Sequence, residues 1–200
     1  IFHSQLNLTT MKKSILIAVA TMFFLSYSLA AQAQDKLVST KTQVKFFSTT
    51  PAEDIEANNT ATVSTINTQT GDVVFSVPMQ AFEFEKSLMQ KHFNQDKFLD
   101  TKAHPKAKLT AKITNLSDID FAKDGTYEAD VEGALTIKGE TQTIREKGTV
   151  TVKGKNIAVK SAFHVTLADY GIAFEKGKPS TNIAETVEVT INAEYQPQGV

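Results

Sequence analysis

The chain has 200 residues, 41% of them hydrophobic, no cysteine, and a formal net charge of −1. A near-neutral balance with no block of Lys or Arg argues against a nucleic-acid partner, which needs a basic face. It argues equally against tight docking on anionic headgroups. Without thiols there is no disulfide framework, no thiol nucleophile and no thiolate metal site.

The first recognisable element begins at Met11. Lys12 and Lys13 form a short positive region, residues 15–29 are largely apolar, and Ala31-Gln32-Ala33 supplies a small-x-small cleavage pattern. That order reads as a secretory signal, too short and wrongly flanked for a membrane anchor. The reading places an upstream leader and signal peptide over residues 1–33, with cleavage before Gln34. The mature chain, 34–200, is then long enough for one domain with a sizeable core or an enclosed cavity. Removing Lys12 and Lys13 shifts its net charge from −1 to −3. No cysteine follows the cleavage pattern, so no lipoprotein-type thioether anchor is expected. The expected location is the periplasm, reached by a Sec-type signal and without a stable membrane anchor.

Period-two alternation dominates the mature chain. Val44 and Phe46 share one face of an opening strand, residues 61–66 form a second, and Asn67 to Gly71 turns into Val73, Phe75 and Val77. Residues 105–113 read as a further strand. Tyr127, Ala129, Val131, Gly133, Leu135 and Ile137 then alternate with Glu128, Asp130, Glu132, Ala134, Thr136 and Lys138, giving one apolar and one wet face. Lys138-Gly139-Glu140-Thr141 and Lys153-Gly154-Lys155-Asn156 are turns, which separate this strand from one ending at Val152 and another carrying Ile157 to Val165. The last strand carries Val187, Val189, Ile191, Ala193 and Tyr195 inward. About eight strands at hairpin spacing predict an all-β antiparallel sandwich or barrel. Closure into a barrel removes exposed edges most completely.

One segment departs from this pattern. Leu88 and His92, and Met89 and Phe93, stand at i,i+4 within a helix over residues 85–94; Pro105 restarts extended structure. A short helix inserted between strands suits a barrel mouth, as a lid or an entry gate.

The motifs of several enzyme classes are absent. The sequence has no G-x-S-x-G elbow, no phosphate-binding glycine loop and no HExxH. His92 and Asp96 have ligand-like spacing, but no third and fourth ligand accompany them, so no metal and no other cofactor is expected. Glu83 and Glu85, like Glu128, Asp130 and Glu132, fall on a solvated face, where nothing shifts a pKa toward catalysis. The apolar side chains remain. Phe46, Phe75, Phe82, Phe84, Phe93, Phe98, Tyr127 and Phe163 sit at inward positions or on the helix segment, and an eight-stranded barrel is wide enough to hold one small ligand. Ala129, Gly133, Gly148 and Ser161 are small inward residues expected to leave space beside the aromatics.

Three stretches resemble the YceI-like family. These are Phe82 to Asn94 followed by Phe98-Leu99-Asp100 and Pro105 to Leu109; Gly133-Ala-Leu-Thr-Ile-Lys-Gly139-Glu-Thr; and Leu167 to Ile172 with Asn182 to Val189. They occur in the family's order and cover most of the mature chain. The resemblance implies a lipocalin-like eight-stranded barrel with one helical insert and an interior for a long apolar, isoprenoid-like lipid. Lys86 or Lys91 stands where the family pattern has an arginine, and the two are not equivalent for bidentate phosphate binding. The opening region, Thr49 to Asn59, reads as a polar loop that alters access to the mouth.

The expected ligand-binding residues are Phe46, Phe75, Phe82 and Phe84; Leu88, Met89, His92 and Phe93 on the helix; and Tyr127, Val131, Leu135 and Phe163 on the barrel wall. The expected function is non-catalytic binding or transport of an isoprenoid-like lipid, with a homodimer possible. Two other readings stay open: an enzyme acting on a lipid or amide with His92 as general base, and a filled barrel serving as an interaction module.

Overall fold

The computed structural model describes residues 36–51, 53–172 and 184–196. The expected leader, its cleavage site, and residues 173–183, where Gly177-Lys178-Pro179-Ser180 reads in the sequence as a polar loop, lie outside the described residues. The strands are β1 (Lys36–Thr49), β2 (Asp54–Asn59), β3 (Val63–Asn67), β4 (Asp72–Pro78), β5 (Glu83–Phe84), β6 (Lys106–Ile113), β7 (Gly125–Ile137), β8 (Glu140–Lys153), β9 (Asn156–Thr166) and β10 (Thr186–Tyr195). The α-helix, α1, is Ser87–Asn94, between β5 and β6.

These strands form a closed antiparallel barrel. The order runs β10-β9-β8-β7-β6-β4-β3-β1, and β1 pairs back onto β10. Thr42↔Ala193, Val44↔Ile191 and Phe46↔Val189 lie in that closing register. Eight positions therefore surround the axis, as expected. One position is filled by two short strands in tandem, because β2 takes over from β3 beside β1 with Val44↔Asn59 and Phe46↔Ala57 in register. Two-residue β5 adds to β2 through Ala57↔Phe84.

Residues 49–59, expected as a polar loop, contain β2, and the break between β2 and β3 accounts for part of their polarity. Asn59 is fully buried. Its amide donates to the Pro78 carbonyl (2.8 Å), and its Oδ1 accepts from Ala61 N (3.1 Å) and Thr62 Oγ1 (3.0 Å). A buried Asn is tolerated only when its groups are satisfied in this way.

The two ends of the barrel are built differently. At one end, the inner side chains of the strands fill the axis: Ile66, Ile113, Val150, Val152, Ile157 and Ala193 are all buried. Tyr195 is buried among them and shares a hydrogen bond with Ser64 Oγ at 2.8 Å. Ser64 in turn bonds Thr42 Oγ1 at 3.2 Å. Burial pushes the Tyr195 phenol up to about 12, partly offset by the Ser64 bond, so it stays neutral at ordinary pH. At the other end emerge the β1–β2 connection, the segment carrying α1, and the turn at Leu167–Tyr170.

Strand contact, rather than free space, explains the small inward residues. Gly133 faces Ala111 across the β6–β7 ladder, and a Cβ there would stand 2.4 Å from Ala111 Cα. A Cβ at Gly148 would lie 2.8 Å from the Lys160 carbonyl, and Ser161 Oγ donates to the Lys147 carbonyl at 2.7 Å. The expectation that these residues open the interior is corrected: they let strands approach. Gly133→Ala is therefore expected to cost about 1–3 kcal/mol in urea unfolding, as overpacking does. Glu132→Gln, one residue away on the outer face, should shift the midpoint far less. Equal shifts for the two would show that the faces of β7 are wrongly assigned.

Candidate functional site: an apolar cavity under a helical rim

The end that carries α1 is hollow. A cavity of about 740 Å³ lies inside it, a volume typical of small-molecule sites. Its walls follow from strand alternation. Val44 and Phe46 come from β1, Phe75 and Val77 from β4, Ala107 and Leu109 from β6, Leu135 and Ile137 from β7, Phe163 and Val165 from β9, and Val187, Val189 and Ile191 from β10. No β8 residue joins this wall among the described residues. β8 pairs with β9 only over Gly148–Lys153, and Leu167 and Ile172 complete the lining instead. That turn is held to the top of β8 by Gln142 Nε2 donating to the Asp169 carbonyl (2.7 Å) and Lys138 Nζ donating to the Gly171 carbonyl (3.1 Å).

The helix is anchored by one side chain. Eight residues without a side-chain N-cap make a marginal helix in water. Phe93 compensates by packing against four rings: Phe84 (centroids 5.0 Å apart), Phe82 (5.6 Å), Phe46 (5.7 Å, stacked) and Phe98 (6.3 Å). Such ring pairs each add about 0.5–1.5 kcal/mol beyond area burial. The helix C-terminus is tied down as well, since buried Thr101 donates to Asn94 Oδ1 at 2.7 Å. Lys91 and His92 in the last turn complement the helix dipole.

Ten of the twelve residues expected to contact ligand line this cavity: Phe46, Phe75, Phe82, Phe84, Leu88, Met89, His92, Phe93, Leu135 and Phe163. Tyr127 and Val131 do not. Both are half-buried toward the packed end, and the Tyr127 hydroxyl donates to the Lys123 carbonyl at 2.9 Å. Their parity is inward, as expected, but their height along the axis places them away from the hollow. Parity identifies a face, whereas height depends on register, which periodicity alone does not reveal. Leu167 and Ile172 were not among the expected residues, because nothing in strand alternation shows a turn substituting for a strand.

His92, the candidate general base, is exposed at the rim. No carboxylate or hydroxyl bonds it among the described residues. No three His, Asp or Glu side chains converge as a metal-ligating group among the described residues.

Known proteins share this architecture. The profile of the YceI-like domain matches residues 30–195. The chain belongs to the YceI-like family. Among solved structures, it is similar to a polyisoprenoid-binding domain from Saccharophagus degradans implicated in plant cell wall breakdown, at TM-score 0.68 and 16% identity, covering 82% of this chain and 99% of that one. It is also similar to Burkholderia cenocepacia BcnA, at TM-score 0.65 and 17% identity, covering 76% and 95%. A Campylobacter jejuni YceI protein follows at TM-score 0.54 and 15% identity, covering 70% and 81%. No curated protein matches this YceI-like chain.

The packing of α1 separates two substitutions. Phe93→Ala removes the ring shared by the other four, and should lower stability by about 3 kcal/mol and loosen the helix. Leu88, 61% exposed at the rim, has little to lose: Leu88→Ser should leave the melting temperature unchanged while weakening uptake of a fluorescent apolar lipid. A loss of stability at Leu88 with uptake intact would show that α1 does not form the entrance.

Proposed function

We propose that this YceI-like protein binds a long apolar, isoprenoid-like lipid within its barrel and carries or sequesters it in the periplasm, without altering it chemically. The observation that supports this best is the cavity itself: a hollow of about 740 Å³ walled by aromatic and branched side chains. An apolar chain entering it gains roughly 25 cal/mol for each Å² removed from water. Phe and Met at the mouth adapt to an irregular guest. The polyisoprenoid-binding character of the Saccharophagus domain, which shares this fold, points the same way. With no carboxylate or hydroxyl bonded to His92 among the described residues, the enzymatic reading gains no support of its own. Export follows from Lys12-Lys13, the apolar run and the Ala31-Gln32-Ala33 pattern.

Both parts can be tested on one preparation. The full chain is expressed in a bacterial host, the periplasmic fraction is purified without detergent, and its N-terminus and native mass are determined. The expected species begins at or near Gln34 and carries a co-purified lipid. An intact leader in the membrane pellet would overturn export. A protein that stays ligand-free after incubation with isoprenoid lipids would overturn the binding function.

A further inference from the structure

The outer face of the barrel carries a charge gradient that the total charge conceals. On β6, Lys106, Lys108, Thr110 and Lys112 are exposed and alternate with buried neighbours. Side chains paired across an antiparallel ladder share a face, so the registers set the outward residues in rows. The row nearest the packed end is Asp72–Lys112–Glu132–Arg145, running from β4 to β8. Its signs alternate, and Arg145 Nη2 meets Glu132 Oε1 at 2.8 Å. The next row, Thr65–Val74–Thr110–Ala134–Thr143, is uncharged. Above it, the only charge in Val63–Ser76–Lys108–Thr136–Thr141 is positive, and Lys106 beside Pro78 follows at the mouth.

Neither Lys106 nor Lys108 has an ion pair among the described residues. The same holds for Lys97 and Lys102, both exposed on the segment that leads into β6. The acids of that segment, Asp96 and Asp100, accept from Lys97 N (2.8 Å) and Ala103 N (3.3 Å) and leave the lysines in excess. Other acids near the mouth, Asp54, Glu56, Glu83 and Glu85, are gathered in a separate cleft on the β2 and β5 side. The mouth therefore has a basic side at β6 and an acidic side at β2.

We propose that the lysine face at the mouth docks the barrel, weakly and reversibly, on an anionic lipid bilayer, with β6 toward the headgroups and the acidic cleft turned away. Composition favours a bilayer over a protein partner. Protein interfaces concentrate aromatic residues and Arg and are depleted in Lys. This face instead exposes lysines and hydroxyls around Pro78 and Val63, the latter 53% exposed. Lysine stems reach along an interface while their ammonium groups stay in the polar layer. Each adds about fivefold to membrane affinity, the factor that ~1 kcal/mol gives. Position supports the same partner. Ala107 and Leu109, on the inner side of the same strand, line the cavity, so docking here brings the mouth to the membrane surface. The near-neutral total charge rules out tight docking, and a few lysines give a contact that breaks as readily as it forms. The proposal goes beyond lipid binding, which requires no docking, and its test uses no cavity ligand.

The test is co-sedimentation of the protein recovered from the periplasmic fraction with two kinds of vesicle: phosphatidylcholine alone, and equal parts phosphatidylcholine and phosphatidylglycerol. The protein should sediment with the anionic vesicles at low salt, be released as salt rises, and stay in solution with phosphatidylcholine. The Lys106→Gln/Lys108→Gln variant should bind the anionic vesicles roughly 25-fold more weakly, two such factors of about five, with its melting temperature unchanged. Lys153→Gln/Lys155→Gln removes the same charge at the exposed β8–β9 turn of the packed end and should bind like the unaltered protein. Equal binding of the two vesicles, or no binding to either, would overturn the docking. Equal loss in the two variants would overturn the assignment to the β6 face. Binding to soluble polyglutamate with none to vesicles would show that the face takes an acidic protein, and would overturn the bilayer as its partner.

Discussion

The pairing of the first strand with the last is the constraint on which the rest of this structure depends. Val44↔Ile191 and Phe46↔Val189 turn a sheet that would have two open edges into a cylinder. They also bring side chains from opposite ends of the chain to the same cavity wall. Because residues 44 and 191 are far apart in sequence, their contact is expensive in loop-closure entropy and forms only with the support of its neighbours. The burial of Val44, Ile191 and Ala193 on the inner side supplies that support.

Closure alone does not make a binding protein, because a cylinder of eight strands can be filled by its own side chains. Two physical features keep one end hollow. The packed end uses branched residues close to the axis, and the buried Thr42–Ser64–Tyr195 chain of hydroxyls lies among them with its hydrogen bonds satisfied. At the other end, the segment between β4 and β6 places its aromatic residues around the rim rather than across it. Phe93 holds α1 in that rim by packing on its neighbours' rings. The helix thus depends on the barrel for its stability, and the barrel depends on the helix for its cover.

Most of the architecture was legible in the sequence, since alternation is a strong signal wherever one face is wet. The β7 run from Tyr127 to Ile137 shows its inner face residue by residue, and the i,i+4 pairs place the helix to within two residues of its start. The site was legible where aromatic residues and helical spacing coincided, as at Phe82 to Phe93. It was not legible where position depended on long-range register. Tyr127 and Val131 have the right parity at the wrong height, and Gly133 signals close strand contact rather than free volume. The turn from Leu167 to Ile172 closes the wall where β8 departs from β9, a tertiary substitution that leaves no local mark.

The central claim is that the interior has a filled half and a hollow half, and that only the hollow half receives a lipid. Methyl-resolved NMR of the purified protein during titration with geranylgeranyl phosphate tests it most directly. The account predicts large shifts at Val44, Leu135, Val165 and Ile191, with Val150, Val152 and Ile157 unchanged. Shifts spread over the packed-end methyls, or confined to an outer-surface residue such as Val63, would contradict it.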